Sequence, residues 1–443
     1  MELMKAYFEI GLQKDIAGVF DSRSRSKKFT CWSPDLINID PHSNIFGKTS
    51  DNKKLSLINC LGSITTHSSP DSRMYESEIY SHTIIVGNEY LAPEESNIES
   101  ISFKVGNPLK LFRYQESFGY LDSLNPNLIN ALNEENDSPD FIIENNPIIA
   151  YFNGETELFS QNTKLGNISA SNNIRPGLYG TPNGVGIENE IIITINFPSK
   201  VKLQEALERA NITSKFLRFI GGDGLYFERL SLMKVGVSTS LTILYDSYEW
   251  GSKVGDSKDS TPFINLSSKN FGQIIEAYFN KEDRNIVRNN FYSTYFSSIY
   301  SSSRLITAAN MFDIFPFGHN KNKCLKDRIF SRLRKLKDKI NDDTFTQLET
   351  IVPYAITARK YFVHGKLSDK LTPEDLYKFL ATFIQVLEYI YAMSELLECG
   401  WDPKYDPIVC YQHKINVIER DIDYLYSELI SVISKNLDST SNA

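Results

Sequence analysis

Along much of the first 260 positions apolar and polar residues alternate with a period of two. In "SISFKV" (100–105) Ile101, Phe103 and Val105 fall on one face, "EIIITINF" (190–197) is rich in Ile, and "STSLTILYD" (238–246) is similar. Such alternation predicts strands. Turn signals interrupt them at "GNP" (106–108), "RPGLYGTPNGVG" (175–186) and "GGDG" (221–224). One helical insertion is expected at "KLQEALERA" (202–210), and the stretch 121–147 reads as a polar excursion. Together these predict a β-rich domain, a sandwich or an irregular barrel.

The pattern changes after "EWGSKVGDSKDSTP" (249–262), a Gly/Ser/Lys/Asp/Pro stretch without apolar periodicity that reads as a linker. Beyond it the apolar spacing becomes helical. Leu325, Ile329, Leu333, Leu336 and Ile340 form one stripe over 323–340. "RLITAANMFDIF" (304–315) reads as a helix ending before Pro316, and Phe291, Tyr295 and Ile299 as helical packing positions. From Thr372, an N-cap followed by Pro373 and two acids, a helix is expected to run to Gly400. Its buried face would be Leu376, Phe379, Leu380, Phe383, Leu387, Ile390 and Leu397. A last helix, about 407–436, carries Ile415, Ile418, Ile422, Leu425, Leu429 and Ile433. The expectation is an α+β multidomain chain: a β-rich N-terminal domain (1–260) followed by an all-α helical bundle (261–443).

Composition narrows the function classes. The 443 residues exceed the roughly 250–300 at which single cores stop growing. Residues 1–260 hold 24 Lys+Arg and 33 Asp+Glu, net −9, against 23 and 22, net +1, in the remainder. An acidic front half is not a general nucleic-acid binder. Five scattered cysteines suggest neither a disulfide framework nor a zinc site. No signal-peptide core and no 18-residue apolar run stand out, so no membrane partner is expected and a reducing cytoplasm fits best. The glycine loops do not match a phosphate-binding fingerprint, and no cofactor or metal is expected.

The remaining chemistry concentrates in two places. The run 321–339 carries nine Lys/Arg against two Asp, and Lys326, Arg328, Arg332, Arg334 and Lys335 are candidates to follow an RNA backbone. The competing reading is the solvated face of an amphipathic helix. The second place is "TARKYFVHGK" (357–366), where His364 follows Arg359 by five residues on a helix expected to begin near Pro353 and end at or just after His364, with Gly365 in the left-handed terminating position. Five residues turn a helix by about 500°, so the two side chains project roughly 140° apart. They share a site only if the last turn swings round or two copies pool their residues across a two-fold axis. Chemically the pair suits metal-free RNA cleavage. Imidazole takes or gives a proton near neutral pH, and a forked guanidinium matches charge on phosphorane oxygens. The competing reading is a surface arginine and a cation at a helix C-terminus.

"AITARKYFVHG" (355–365) is similar to the Arg-x4–6-His motif of HEPN ribonuclease domains, particularly of ApeA-like HEPN proteins. "CLKDRIFSRLRKL" before it and "LTPEDLYKFLATFIQVLEYI" after it resemble the flanking helices of that group. "IIITINFPSKVKLQEALERANITSKFLRFIGGDGLYFERLSL" (191–232) resembles the ApeA N-terminal domain. The resemblance implies a metal-independent endoribonuclease that acts as a homodimer through its HEPN domain, in anti-phage defence by abortive infection. Cellular RNA would be cut, tRNA among the candidates, after the N-terminal domain senses a phage protein. Arg359 and His364 carry the catalytic roles. Where relatives have Asn, Asp or His after the arginine this chain has Lys360, which either adds phosphate affinity or is solvated. Gly365 stands where many have an aromatic residue. Two other readings remain open: a non-catalytic HEPN scaffold that binds RNA or protein, and a ligand-binding β-rich half on a dimerisation bundle.

Overall fold

A computed structural model describes residues 4–10, 13–20, 28–69, 72–106, 118–121, 125–135, 149–152, 155–181, 184–222, 225–244, 270–315, 323–366, 370–403 and 414–441. The linker expected at 249–262 and the start of the helix expected from 407 lie outside the described residues.

The N-terminal strands β1 (Met4–Ile10), β2 (Gln13–Phe20), β3 (Lys28–Ser33), β4 (Ser43–Thr49), β5 (Lys54–Ser69) and β6 (Ser72–Gly87) pair antiparallel in the cycle β6-β3-β2-β1-β4-β5-β6. That cycle closes a barrel and so leaves no free edge among these six strands. Phe8, Ile16, Phe20, Phe29, Cys31, Leu55, Leu57 and Ile79 fill its inside. The ring of Phe8 needs the room left by glycines. A Cβ at Gly47 would lie 2.6 Å from that ring and 2.5 Å from the carbonyl oxygen of Tyr7.

From β6 a sheet continues through β14 (Leu241–Leu244), β13 (Tyr226–Lys234), β7 (Ile98–Gly106), β12 (Gly184–Val201), β11 (Gly166–Thr181) and β10 (Glu155–Thr163). The alternation read in the sequence is realised here. Ile191, Ile193 and Ile195 oppose Val105, Phe103 and Ile101, and all six are buried. Within the polar stretch 121–147 the structure describes helix α1 (Pro126–Glu134), capped by the Asn125 side chain, which accepts from the amide of Asn127. Strands β8 (Phe118–Leu121) and β9 (Ile149–Phe152) form a separate two-stranded sheet.

The chain divides into two compact units, the first made of Met1–Ser160, Ile168–Leu203 and Phe227–Asp246, the second of Gln161–Asn167, Gln204–Tyr226 and Ser247–Ala443. The helical insertion expected at 202–210 is longer, α2 (Leu203–Gly221), and all but its first residue belongs to the second unit. There the ring of Phe216 lies 4.3 Å from that of Tyr278, and Phe219 meets Phe291 and Tyr295 edge-on. These partners lie on α3 (Phe271–Phe279) and α4 (Asn285–Tyr295).

The rest of the second unit is helical: α5 (Ser302–Ile314), α6 (Leu325–Leu333), α7 (Asp342–His364), α8 (Pro373–Lys378), α9 (Leu380–Glu398) and α10 (Lys414–Ser441). Three expectations are corrected. The stripe over 323–340 is not one helix; it tightens to a 3-10 turn at Arg334–Leu336, and Asp338 takes a positive φ. The segment from Thr372 breaks at Phe379 after a complete capping box between Thr372 and Asp375. Ile299 is not a helical packing position: α4 stops at Tyr295 and Ile299 is exposed.

α9 is the core of this unit. By length and mean hydropathy, 1.2, it would suffice to cross a membrane, yet 83% of it is buried inside the fold. Two of its acids, Glu388 and Glu395, are buried with it. Glu395 accepts from Arg284 Nη1 (2.7 Å), Arg288 Nη2 (2.7 Å) and Arg332 Nη2 (3.3 Å), and Arg304 clasps Glu388 through Nε and Nη2 at 3.0 and 2.8 Å. Removed from water, these carboxylates are tolerated because guanidinium forks satisfy them.

Candidate functional site

Helix α7 carries the motif, and it begins eleven residues before Pro353, at Asp342. Asn341 caps it by accepting from the amide of Asp343, and Asp342 and Asp343 lie in its first turn, where the helix dipole favours acids. Proline is common in a first turn, which made Pro353 a reasonable start. The apolar stripe Leu348, Ile351, Val352, Ala355 and Ala358, all buried, carries the helix straight past it. The far end is as read: His364 is the last helical residue, and Gly365 follows with φ 67°.

The helix stays regular to that end, so Arg359 and His364 retain the roughly 140° separation of ideal geometry. Their environments differ accordingly. Arg359 turns towards α5, where Nη2 donates to Asn310 Oδ1 at 3.0 Å and stands 3.6 Å from Asp313 Oδ2. Its Nε is buried, and among the described residues no acceptor reaches it. His364 is exposed, and among the described residues none bonds to its imidazole. Beside it Val363 is exposed, and the ring of Phe362 meets that of Tyr377 at 5.1 Å. Lys360 is exposed.

The basic candidates separate. Arg332 is 1% exposed, its guanidinium shared among Ser394, Glu395 and Glu398 and set over the Phe315 ring at 4.3 Å. Its charge is spent in the core. Lys335 is bound to Glu398; burial, with Arg332 and Arg284 beside it, pushes its ammonium down to about 8. The Glu395 carboxylate opposes that shift without overcoming burial and the two neighbouring guanidinium groups. Arg328 Nε donates to the Lys323 carbonyl at 2.9 Å, and Nη1 lies 3.8 Å from Asp313 Oδ1. Lys326 and Arg334 point to solvent. Of the six weaker candidates, the structure brings only Arg328 next to the motif arginine, through Asp313.

Asn310 and Asp313, which hold Arg359, carry no motif that marks them in the sequence. They sit three apart in "ANMFDIF", on one side of α5, flanking Met311 and Phe312, which are fully buried. That spacing was visible; the partner on α7, 49 positions away, was not. Elsewhere His42 Nδ1 donates to Asn59 Oδ1 and His82 Nδ1 shares a hydrogen bond with Thr83 Oγ1, while His319 and His413 lie outside the described residues. Among the described residues no group of three or more His, Cys, Asp or Glu is arranged around a common point.

Two family models match the chain: ApeA N-terminal domain 1 over residues 13–281 and Apea-like HEPN over residues 269–405. Comparison with curated proteins and with solved structures finds no match.

Proposed function

This chain belongs to the ApeA-like HEPN family, a group of HEPN-type defence effectors, and from that premise we propose that it is a metal-independent endoribonuclease that halts infected cells by cutting cellular RNA. The observation that carries the reading is Arg359 and His364 on the last two turns of α7, one anchored and one presented to solvent.

The division of labour follows from the two environments. An arginine fixed at Nη2 offers its Nη1 N–H groups in a constant direction, which suits the non-bridging oxygens of a phosphate as charge builds on them. An exposed imidazole at a helix terminus is free to exchange protons with a substrate. One imidazole takes the 2′-hydroxyl proton; the 2′-oxygen attacks phosphorus and the 5′-oxygen departs, accepting a proton from an acid. The products are a 2′,3′-cyclic phosphate and a 5′-hydroxyl. Base and acid act on opposite sides of the phosphorus, and the wide angle between the two side chains on α7 supports a site completed by a second copy of the chain. Two α7 helices meeting near their C-termini would pool two histidines and two arginines.

RNA is the substrate in this reading, tRNA one candidate class, and the solvent-facing Lys360, Lys326 and Arg334 are cations that can attract its backbone. The β-rich domain acts as the sensor, with a phage protein as its activating ligand, and the cytoplasm is where it works. The anchoring of Arg359 by α5 also favours a second reading, a scaffold in which the arginine only ties helices together. Incubating the purified full-length protein with total RNA in EDTA, beside His364→Ala, separates the two. Cyclic-phosphate ends that disappear in the variant are expected. Host toxicity unchanged by the substitution, with no RNA ends produced under phage challenge, would leave the scaffold.

A further inference from the structure

We infer that Asn310 and Asp313 of α5 are positioning residues for Arg359, and that Asp313 couples it to Arg328 so that two guanidinium groups face successive phosphates of an RNA strand. The inference rests on the ribonuclease reading above and specifies how its arginine is aimed.

The geometry argues it in steps. A guanidinium on three methylenes has many rotamers, and holding one against solvent requires directed acceptors. Arg359 is only 21% exposed, and its Nε–H is buried without an acceptor among the described residues. Burying that donor unpaired is unfavourable, so the orientation is imposed from elsewhere. Asn310 Oδ1, at 3.0 Å from Nη2, is the hydrogen bond that imposes it. Asp313 stands a little farther, 3.6 Å from the same nitrogen. At this distance it attracts the guanidinium without clasping it in a two-point fork, leaving Nη1 available to an incoming anion.

Asp313 also faces a second arginine. Arg328 Nη1 is 3.8 Å from Oδ1, while Arg359 Nη2 is 3.6 Å from Oδ2, so each oxygen of one carboxylate serves a different cation. Arg328 is further fixed by its Nε bond to the Lys323 carbonyl and by Nη1, which donates to the main-chain carbonyl of Asp313 at 2.5 Å, so that Asp313 holds it through backbone and side chain together. Two positive charges around one negative leave a net attraction for an anion, and the shared carboxylate sets the spacing between them. Neighbouring phosphates on a strand fit such a spaced pair better than an isolated one does. The three helices α5, α6 and α7 thus each give one part: acceptors, auxiliary cation and catalytic cation.

Activity and side-chain mobility test this together. Asn310→Leu keeps the volume and removes the acceptor; Asn310→Asp keeps an acceptor oxygen in place. Losing one charge-assisted hydrogen bond predicts a kcat for RNA cleavage about 10- to 100-fold lower in Asn310→Leu, with KM within about 3-fold, and recovery to within about 3-fold of wild type in Asn310→Asp. Asp313→Asn removes the charge that spaces the arginines, and it should alter KM and the salt dependence of binding along with kcat. In protein labelled with 15N-arginine, the Arg359 resonance, assigned through Arg359→Lys, should report slow guanidinium rotation in wild type and fast rotation in Asn310→Leu. An unchanged Arg359 signal in Asn310→Leu, or an Asn310→Asp as impaired as Asn310→Leu, would overturn the positioning role. If the signal responds as expected while neither wild type nor variants cleave RNA, it is the ribonuclease reading that fails and the anchoring that stands.

Discussion

Around Glu395 three guanidinium groups share a single buried carboxylate. Burial pushes that carboxyl up, but Arg288, Arg284 and Arg332 outweigh it and hold it below the ordinary 4.5. A carboxyl depressed in the fold stabilises above its ordinary value and loses that contribution as pH falls through the folded one. Glu395→Gln keeps the shape and strips the charge, leaving three arginines to repel one another in a dry site. We expect a loss of about 3–5 kcal/mol, read from urea denaturation of the full-length protein, and no further loss on that carboxylate's acid limb. A variant within about 1 kcal/mol of wild type would mean that water reaches the cluster. This network also shows why the basic run 321–339 could not be resolved from sequence. Lys326 and Arg332 differ in nothing local; one meets solvent and the other a glutamate 63 positions away.

α7 shows what periodicity reveals about an element and what it hides. Its C-terminus was legible because only glycine takes the left-handed conformation there without strain. Gly365→Ala places a Cβ at φ 67°, where nothing crowds it within 4 Å, so the cost is backbone strain alone, about 1 kcal/mol. A fall in Tm of a few degrees by calorimetry would show it; an unchanged Tm would mean that the helix end relaxes. The N-terminus was misplaced because Pro353 carries the same signal inside a long helix as in a first turn. Similarly, the stripe through Leu325, Ile329, Leu333 and Leu336 is compatible with an α-helix and with an α-helix tightening into a 3-10 turn, since both bury every third or fourth residue. The strands were clearer. Ile101, Phe103 and Val105 alternate against Ile195, Ile193 and Ile191, and a one-residue slip would have exposed every one of them. The barrel closure, by contrast, rests on pairings such as Ala6 with Thr49, and no single strand's pattern encodes its neighbour.

For the whole molecule, composition marks a change of character near residue 260, and the family matches meet between 269 and 281. Compactness draws its line elsewhere, because α2 and the turn around Lys164 fold with the helices. Gln161 Nε2 donates to Glu276 Oε2 at 2.8 Å, and the Lys164 amide donates to Asn280 Oδ1 at 3.1 Å. A chain started at residue 261 would expose Tyr278, Phe279, Phe291 and Tyr295, all buried when residues 1–260 are present. It should aggregate or lose its helical circular dichroism, whereas adding a peptide of residues 203–221 should restore solubility. A truncated protein that is monodisperse and fully helical alone would show that α2 is dispensable. The sequence reading saw a helix at 202–210 but had no means to tell which set of residues it would cover.

Because the second unit is gathered from three separate stretches, no one crossover in the gene transfers it whole. Fusing residues 261–443 to another domain would deliver a helical unit missing a wall. If the β-rich domain is the sensor proposed above, a new trigger specificity is therefore most simply gained by remodelling the barrel in place.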